Sequence, residues 1–438
     1  MSLDERLVIE PTEKYSVISV QGSTDEGGDV SYVALDVLCP YTASLVHKAF
    51  ARRRKRWRVT NDSSKAQLHW GDYECLNWDE IVSGRVCGSS YCTRKGLSRK
   101  AQLSMYTNKY LSKVPTSPLK KAMPRTIIVD IWEAFDDKMT FNLGGDIASF
   151  GDDAGVRQCM SLSDRIDWAL EAVRDAMAAA EARGGWILKA STLNKGAGVH
   201  LVTDFNDLRD VVHANHDIRE WVLQEYIERP LLVHGRKFHL RAYVLAVGCL
   251  SVYLFDRVLL LSAHAPYAAG DFSDPLAHIT NTARQCETAA FDEAASVGLL
   301  SDLATHLTRD GGMADGDAEA AVTGIVTAMR AITAELFRAF KGEFAVFAPL
   351  PHCFEHFGLD FMVDEALNVW LLEANPGPDF KQTGARLKPV IEQLMEDTAR
   401  VCVDGEQCLA VGQAVGGLVL VYEEQWSGSK GTPTMRMI

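Results

Sequence analysis

At 438 residues the chain is too long for one ordinary core, and its 47% hydrophobic and 24% charged residues are the balance of a globular protein built from two or three domains. A formal net charge of −13 argues against a general nucleic-acid binder, which needs clustered cations to neutralise phosphate. The first residues, Met1 to Tyr15, hold no apolar leader and no run of 18 uncharged apolar residues follows, so neither a secretory signal nor a membrane span is expected.

Taken in chain order, residues 15–21 and 31–37 are rich in β-branched and aromatic side chains and read as strands around a polar turn at 22–28. Residues 42–54 carry a helical pattern. It ends in a basic run of Arg52, Arg53, Arg54, Lys55, Arg56 and Arg58, interrupted by Trp57. The run reads as a solvated helix end entering a strand, the alternatives being a patch for an acidic partner or a nuclear import signal. Short strands at 57–59 and 67–70 complete a small α/β domain over 1–85.

A central domain over 86–185 follows. It holds a helix at 97–112, a linker bearing Pro and Lys at 114–124, a buried strand at 127–131 and a Gly- and Asp-rich loop at 144–155. An alanine-rich helix at 164–183 is stopped by Gly184 and Gly185. Strands, hairpins and helices alternate over 186–400, with 307–317 reading as a mobile Gly- and Asp-rich surface loop. The remainder, 401–438, reads as a C-terminal extension whose last residues, 428–438, fray. The ten cysteines are irregularly spaced with no C-x-x-C pair, so zinc is not expected, and reduced thiols point to the cytosol.

The chemistry begins at residues 357–376. Two apolar runs flank Asp364-Glu365-Ala366-Leu367-Asn368, the pattern of a β-hairpin. If the turn centres between Ala366 and Leu367, Asp360 lies opposite Glu373, with directly opposed side chains about 5 Å apart. Asn375, two residues on, shares that face. Opposed carboxylates repel, and burial raises the cost, so this pair requires a cation. An oxygen-only set with few protein ligands suits Mg²⁺, which keeps water and nucleotide phosphates as its other ligands. Trp370, Leu371 and Leu372 predict that the second strand is buried on both faces, the alternative being an exposed hairpin edge.

Residues 236–245 put Lys237, His239 and Arg241 on one face of a strand. Both cations would neutralise phosphate or carboxylate, and the planar fork of Arg241 suits a bidentate oxyanion. Residues 186–202 read as two strands around Asn194-Lys195-Gly196-Ala197-Gly198, a Gly-rich turn whose N–H groups can approach phosphate oxygens. Lys189 could reach inward from the first strand, and Lys195 sits on the turn. The segment is neither a Walker A loop nor a Rossmann fingerprint. Residues 221–227 form an apolar strand carrying Gln224 and Glu225, broken by Glu228-Arg229-Pro230. It reads either as a plain core strand or as a hinge offering its backbone to an adenine edge.

The order of these segments resembles the tubulin–tyrosine ligase family of ATP-grasp enzymes. Lys189-Ala190-Ser191, the 194–198 flap, Gln224-Glu225-Tyr226-Ile227 and Lys237-Phe238-His239-Leu240-Arg241 follow one another. Thr280-Asn281, the Gly358…Asp360…Asp364 run and the Leu371…Glu373…Asn375…Pro378…Phe380 run complete the order, over residues 91–388. The motif Tyr91-Cys92-Thr93-Arg94-Lys95-Gly96-Leu97 and the run PDFKQTG look most like the fungal branch of the family. The resemblance implies an α/β (α+β) ATP-grasp fold with ATP and Mg²⁺ as cofactors. It implies that Lys95 reaches the nucleotide phosphates, that Lys189 contacts phosphate and the base side, and that the flap with Lys195, Gly196 and Gly198 closes over the triphosphate. Gln224, Glu225, Tyr226 and Ile227 would form the adenine hinge, and Lys237, Thr280 and Asn281 would lie near ribose and phosphates. Arg241 would hold the acceptor carboxylate or acyl phosphate, and Asp360, Glu373 and Asn375 would bind Mg²⁺. His239 stands where the family usually has Asp, Leu261 where it has Arg, and Ala265 where it has Glu. Arg257 is the candidate substitute for the missing Arg. Against the family pattern the ATP half of the site looks nearly intact, His239 being its departure, and the acceptor half looks altered.

The expected function is an ATP- and Mg²⁺-dependent carboxylate–amine ligase acting through an acyl phosphate, adding an amino acid to a peptide or protein carboxylate. The rivals are a small-molecule amide ligase on the same scaffold and a nucleotide-binding scaffold with little turnover. A monomer is the expected state.

Overall fold

The structure is a computed structural model that describes residues 30–135, 161–180, 185–193, 196–285, 296–383 and 386–424. The expected strand at 15–21, the turn at 22–28, the loop at 144–155, Gly184, Asn194, Lys195 and the end 428–438 lie outside the described residues.

The first sheet runs β1 (Ser31–Asp36), β2 (Trp57–Thr60), β3 (Leu68–Gly71) and β4 (Cys87–Gly88), parallel throughout in the order β2-β1-β3-β4. Helix α1 (Pro40–Arg52) connects the first two strands. Pro40, whose ring presets φ, opens it, and Leu45, Val46, Ala49 and Phe50 form its buried stripe. The basic run at its end is not simply a solvated surface. Arg52 bonds Glu392 and Glu396 at 2.9 Å each, and the buried Arg53 bonds Asp404 at 2.6 and 2.8 Å and Glu396 at 3.0 Å. Arg54, Lys55, Arg56 and Arg58 are exposed.

The helix expected at 97–112 is broken in two, a turn at Lys95–Ser98 and α2 (Lys100–Lys113). Arg99 between them is extended, at φ −90° and ψ 121°. The break lets the start of α2 dock on the second sheet. There the Lys100 N–H donates to the Ser191 carbonyl at 3.2 Å, and the Ala101 N–H donates to the Ser191 hydroxyl at 3.1 Å. The linker at 114–124 contains a helical turn, Leu119–Ala122.

The second sheet holds β5 (Thr126–Asp130), β6 (Trp186–Ala190), β7 (Val199–Val202) and β8 (Glu220–Glu225), antiparallel in the order β5-β8-β6-β7. Helices α3 (Leu162–Ala180) and α4 (Phe205–Ala214) cover it through Leu170, Leu208 and Val212, which pack with Leu188, Val202 and Trp221. The strand expected to be buried at 127–131 is instead the edge, β5, and Ile128 is 37% exposed.

The third sheet is built on β10 (Arg236–Val247), which pairs with β9 (Leu232–Val233), β11 (Ser251–Phe255), β12 (Leu259–Ser262) and β14 (Phe354–Val363). β13 (Val297–Leu299) extends β12, β15 (Val369–Pro376) extends β14, and β17 (Leu418–Glu423) with β16 (Ala414–Val415) extends β11. Residues 401–424, set apart by sequence as an extension, thus contribute two strands to the largest sheet. Of the segment 307–317, expected as a loop, only its middle is a connection. It begins in α5 (Leu303–Arg309) and ends in α6 (Asp315–Phe340), whose first turn carries Asp315 and Asp317 where the helix dipole favours negative charge. Helix α6 is long and apolar enough to cross a membrane, yet Ile325, Met329, Leu336, Phe337 and Phe340 are buried in the cluster that contains Phe238, Leu240 and Val244. On the other face of β10, Tyr243 and Leu245 pack with Phe50, Trp70 and, from α7 (Lys388–Cys402), Ile391 and Leu394. Both faces of β10 are therefore apolar except at its start. There Lys237 and His239 line a cleft shared with the second sheet, and Arg241, next on the same face, bonds the lining residue Asp360.

Candidate active site

The floor of the cleft is the β14–β15 hairpin. Asp360 faces Glu373 in the ladder as expected, but the turn is displaced. It closes around Asp364 and Asn368, whose backbone groups bond at 3.1 Å, with Leu367 at φ 64°. Phe361 pairs with Leu371 and Asp360 with Glu373, leaving Leu372 as an extra residue, a β-bulge. The strand is not buried on both faces. Val369 and Leu371 face the core, and Leu372 joins Glu373 in lining the cleft.

Asp360 and Glu373 sit in different electrostatic surroundings. Burial pushes the Asp360 carboxyl up to about 6 against the pull of Arg241. Burial would raise Glu373 too, but the Lys100 and Lys189 ammonium groups and an amide bond from Asn375 hold it well below the usual carboxylate range. Lys100 Nζ lies 3.5 Å from Glu373, and Asn375 Nδ2 donates to it at 2.9 Å. Arg241 grips Asp360 with both Nε and a terminal nitrogen, the latter at 2.8 Å. The expected acceptor-side arginine thus leans on the expected metal ligand. Gly358 makes room for it, since a Cβ there would come within 3.2 Å of Arg241 Cδ. The donor set of two carboxylates and an amide oxygen, with Glu373 ionised, fits Mg²⁺.

The walls are cationic. Burial, then repulsion from Lys100, lowers Lys189 to about 8 against the attraction of Glu373, and burial with repulsion from Lys189 lowers Lys237 to about 7. Lys189 Nζ donates to Gln224 Oε1 at 2.8 Å, and Gln224 Nε2 donates to Thr126 Oγ1 at 3.3 Å. Lys237 Nζ donates to the Tyr226 hydroxyl at 2.8 Å, and that oxygen lies 2.7 Å from His278 Nδ1. Burial and the neighbouring Arg241 push the His239 imidazole down to about 3, so it is neutral, and its Nδ1 lies 2.7 Å from Thr280 Oγ1. Gly196 and Gly198 hold φ of +76° and +63°, and a Cβ on Gly198 would meet Ala190 Cβ at 2.9 Å, so the flap closes tightly on its own strand.

Most of the residues singled out by sequence converge. Lys189, Gly196, Gln224, Glu225, Tyr226, Ile227, Lys237, His239, Thr280, Asn281, Asp360 and Glu373 all line the cleft. Lys95, Gly198, Arg241 and Asn375 do not; Lys95 is exposed, while Arg241 and Asn375 bond the lining carboxylates Asp360 and Glu373. Lys100, which the sequence reading missed, lines the cleft instead, between Glu373 and the Leu193 carbonyl at the flap, to which it donates at 2.8 Å. The signal was present, because Arg-Lys occurs twice five residues apart, at Arg94-Lys95 and Arg99-Lys100. His278, Met362 and Leu372 also line the cleft unannounced. Leu261 stands directly opposite His239 in the ladder and is 2% exposed, while Arg257 is exposed and outside the cleft lining.

The tubulin-tyrosine ligase family model matches residues 131–409. The chain is similar to a probable tubulin–tyrosine ligase of Schizosaccharomyces pombe, 29% identical over 398 residues that cover 83% of this chain and 89% of the relative. It is also similar to the probable tubulin–tyrosine ligase PBY1 of Saccharomyces cerevisiae, 30% identical over 77% of this chain and 45% of that longer protein. Among solved structures it resembles the C-terminal domain of K. lactis Pby1, described as an ATP-grasp enzyme interacting with the mRNA decapping enzyme Dcp2. That likeness has a TM-score of 0.62 at 25% identity and covers 90% of this chain and 100% of that one.

Proposed function

This chain belongs to the tubulin–tyrosine ligase family and has the ATP-grasp fold, and from that premise we propose that it is an ATP- and Mg²⁺-dependent ligase joining a carboxylate to an amine. The observation that carries the reading is the opposed Asp360–Glu373 pair beside Lys100, Lys189 and Lys237. Anionic ligands for a metal lie next to cations for phosphate, in a cleft roofed by a glycine flap.

Asp360, Glu373 and Asn375 would hold Mg²⁺, which when bound supplies charge neutralisation between nucleotide phosphate oxygens. Lys100 and Lys189 would bind the phosphates. The hinge from Glu225 to Ile227 would meet the adenine edge through its backbone, with Leu372 and Met362 beneath. Attack of the acceptor carboxylate on the γ-phosphoryl group gives an acyl phosphate and ADP, and an amine then displaces phosphate. The chain's own contribution is positioning and electrostatics. Arg241, held in place by Asp360, would face the acceptor carboxylate, and the flap would keep water from the acyl phosphate.

The favoured acceptor is a peptide or protein carboxylate receiving an amino acid. The buried apolar Leu261 opposite His239 favours, as a second reading, a small-molecule acceptor. The test is ADP release by the purified chain with Mg²⁺-ATP, with and without acidic C-terminal peptides, small carboxylates and each amino acid. Stimulation by one acceptor–amine pair, with the ligated product seen by mass spectrometry, supports the proposal. Nucleotide binding with no stimulation by any pair would reduce the site to a nucleotide-binding scaffold.

A further inference from the structure

We propose that His234, His306 and Asp310 form a second metal site, one for a divalent transition-metal ion such as zinc, separate from the carboxylate pair in the cleft. His234 is at the tip of the β9–β10 hairpin. Arg236 pairs with Val233, so His234 and Gly235 are the two loop residues, at φ 52° and 69°. Positive φ at both positions makes a type I′ turn, which favours Asn, Asp or Gly at the first. Turn chemistry therefore does not account for histidine there. His306 and Asp310 lie four residues apart at the end of α5, hence on one side of it.

The three side chains converge. One ligand atom from each lies within 4.8 Å of the other two. Asp310 Oδ2 is 2.8 Å from His234 Nδ1 and 3.9 Å from His306 Nδ1, and the two imidazole rings meet edge to face at 4.4 Å. Metal–ligand bonds of about 2.0–2.2 Å in a tetrahedral site place such atoms in this range. Two imidazoles and a carboxylate select zinc, nickel, copper or cobalt over magnesium and calcium, which prefer all-oxygen sets. The ligands are partly exposed, which leaves room for water in the remaining coordination position. A His234–Asp310 ion pair alone would leave the approach of His306 unexplained.

The site would tie a turn to a helix. β10 begins two residues after His234 and carries Lys237 into the cleft. An ion joining His234 to α5 would fix the start of that strand.

The test is calorimetric titration of the full chain with Zn²⁺, and spectroscopic titration with Co²⁺, in a phosphine reductant and saturating Mg²⁺. His234→Asn and His306→Gln are the variants. Asn suits the type I′ turn, so the first variant is expected to fold at least as well as the parent. The proposal expects one Zn²⁺ equivalent whose affinity drops by at least about tenfold in each variant. It also expects a rise in Tm with Zn²⁺ in the parent that both variants lose. An equivalent retained in both variants, or none in the parent, would overturn it. So would a lowered Tm in the variants with unchanged metal binding, which would identify an ordinary surface ion pair.

Discussion

Asp360 and Glu373 face each other because Leu372 is an extra residue in the ladder between β14 and β15. With the turn closed around Asp364 and Asn368, an unbroken ladder would set Leu372 against Asp360. The bulge moves the register by one residue, so Leu372 and Glu373 both reach the cleft and an apolar side chain is delivered beside the carboxylate proposed to hold Mg²⁺.

Glu373→Gln keeps the shape of the side chain and removes the charge that Lys100 and Lys189 face. Acceptor-stimulated ADP release is expected to fall by at least about 10²-fold, the scale of losing one electrostatic contact to a transferring group. The circular dichroism spectrum should match the parent's. Unchanged turnover would remove Glu373 from the metal site.

Lys100→Ala and Lys95→Ala separate the two Arg-Lys repeats. The first should lower kcat/KM for ATP by about 10²-fold, because its ammonium lies between Glu373 and the flap. The second should change it by less than about threefold, as expected for an exposed lysine outside the cleft lining. The reverse ranking would restore the role expected from the sequence.

Leu372→Ala should act on nucleotide binding. Losing about 40–60 Å² of apolar contact at 25 cal/mol per Å² corresponds to about 1–1.5 kcal/mol, a rise in KM for ATP of about five- to tenfold with kcat nearly constant. A loss confined to kcat would place Leu372 at the reacting end of the cleft instead of the nucleotide end.

Nucleotide affinity should depend on pH through the lysines. With pKa values lowered to about 7 for Lys237 and about 8 for Lys189, both lose charge as pH rises through those values. An anionic nucleotide favours their charged forms, so its binding takes up protons in that window. Affinity should weaken from about pH 7 to about pH 9, by up to about tenfold per unit for each titrating lysine. Calorimetry in buffers of different ionisation enthalpy measures the uptake directly, and a flat affinity across that range would refute it.

Arg53→Met tests the staple between α1 and α7. It removes charge-assisted bonds to Asp404 and Glu396 from a buried arginine, a cost of about 2 kcal/mol seen as a lower Tm. Turnover at low temperature should be retained, since neither partner lines the cleft.

Alternation made much of the site readable from sequence. Lys237, His239 and Arg241 share a face because strand side chains alternate. The Asp360–Glu373 pairing, expected from a turn between Ala366 and Leu367, arises instead from a turn around Asp364 and Asn368 combined with the bulge. The bulge at Leu372 was invisible, because nothing in an apolar run marks which residue leaves the ladder. Lys100 was hidden because its role depends on the break at Arg99, a backbone angle that no residue type demands. The end of the chain was misjudged for a different reason. Residues 418–423 are as apolar as any core strand, but their partner Ser251–Phe255 is remote in sequence, and no local pattern names a remote partner.

That last pairing bears on how the protein is made. β11 lies against β10, the strand that carries the cleft's cations, and its other edge is covered by residues of β17, which are synthesised long after it. Until they emerge from the ribosome, β11 presents an unpaired edge, which invites association with other chains. The third sheet therefore closes late, and expression fragments cut ahead of residue 418 are expected to aggregate even though they retain every residue assigned to the cleft.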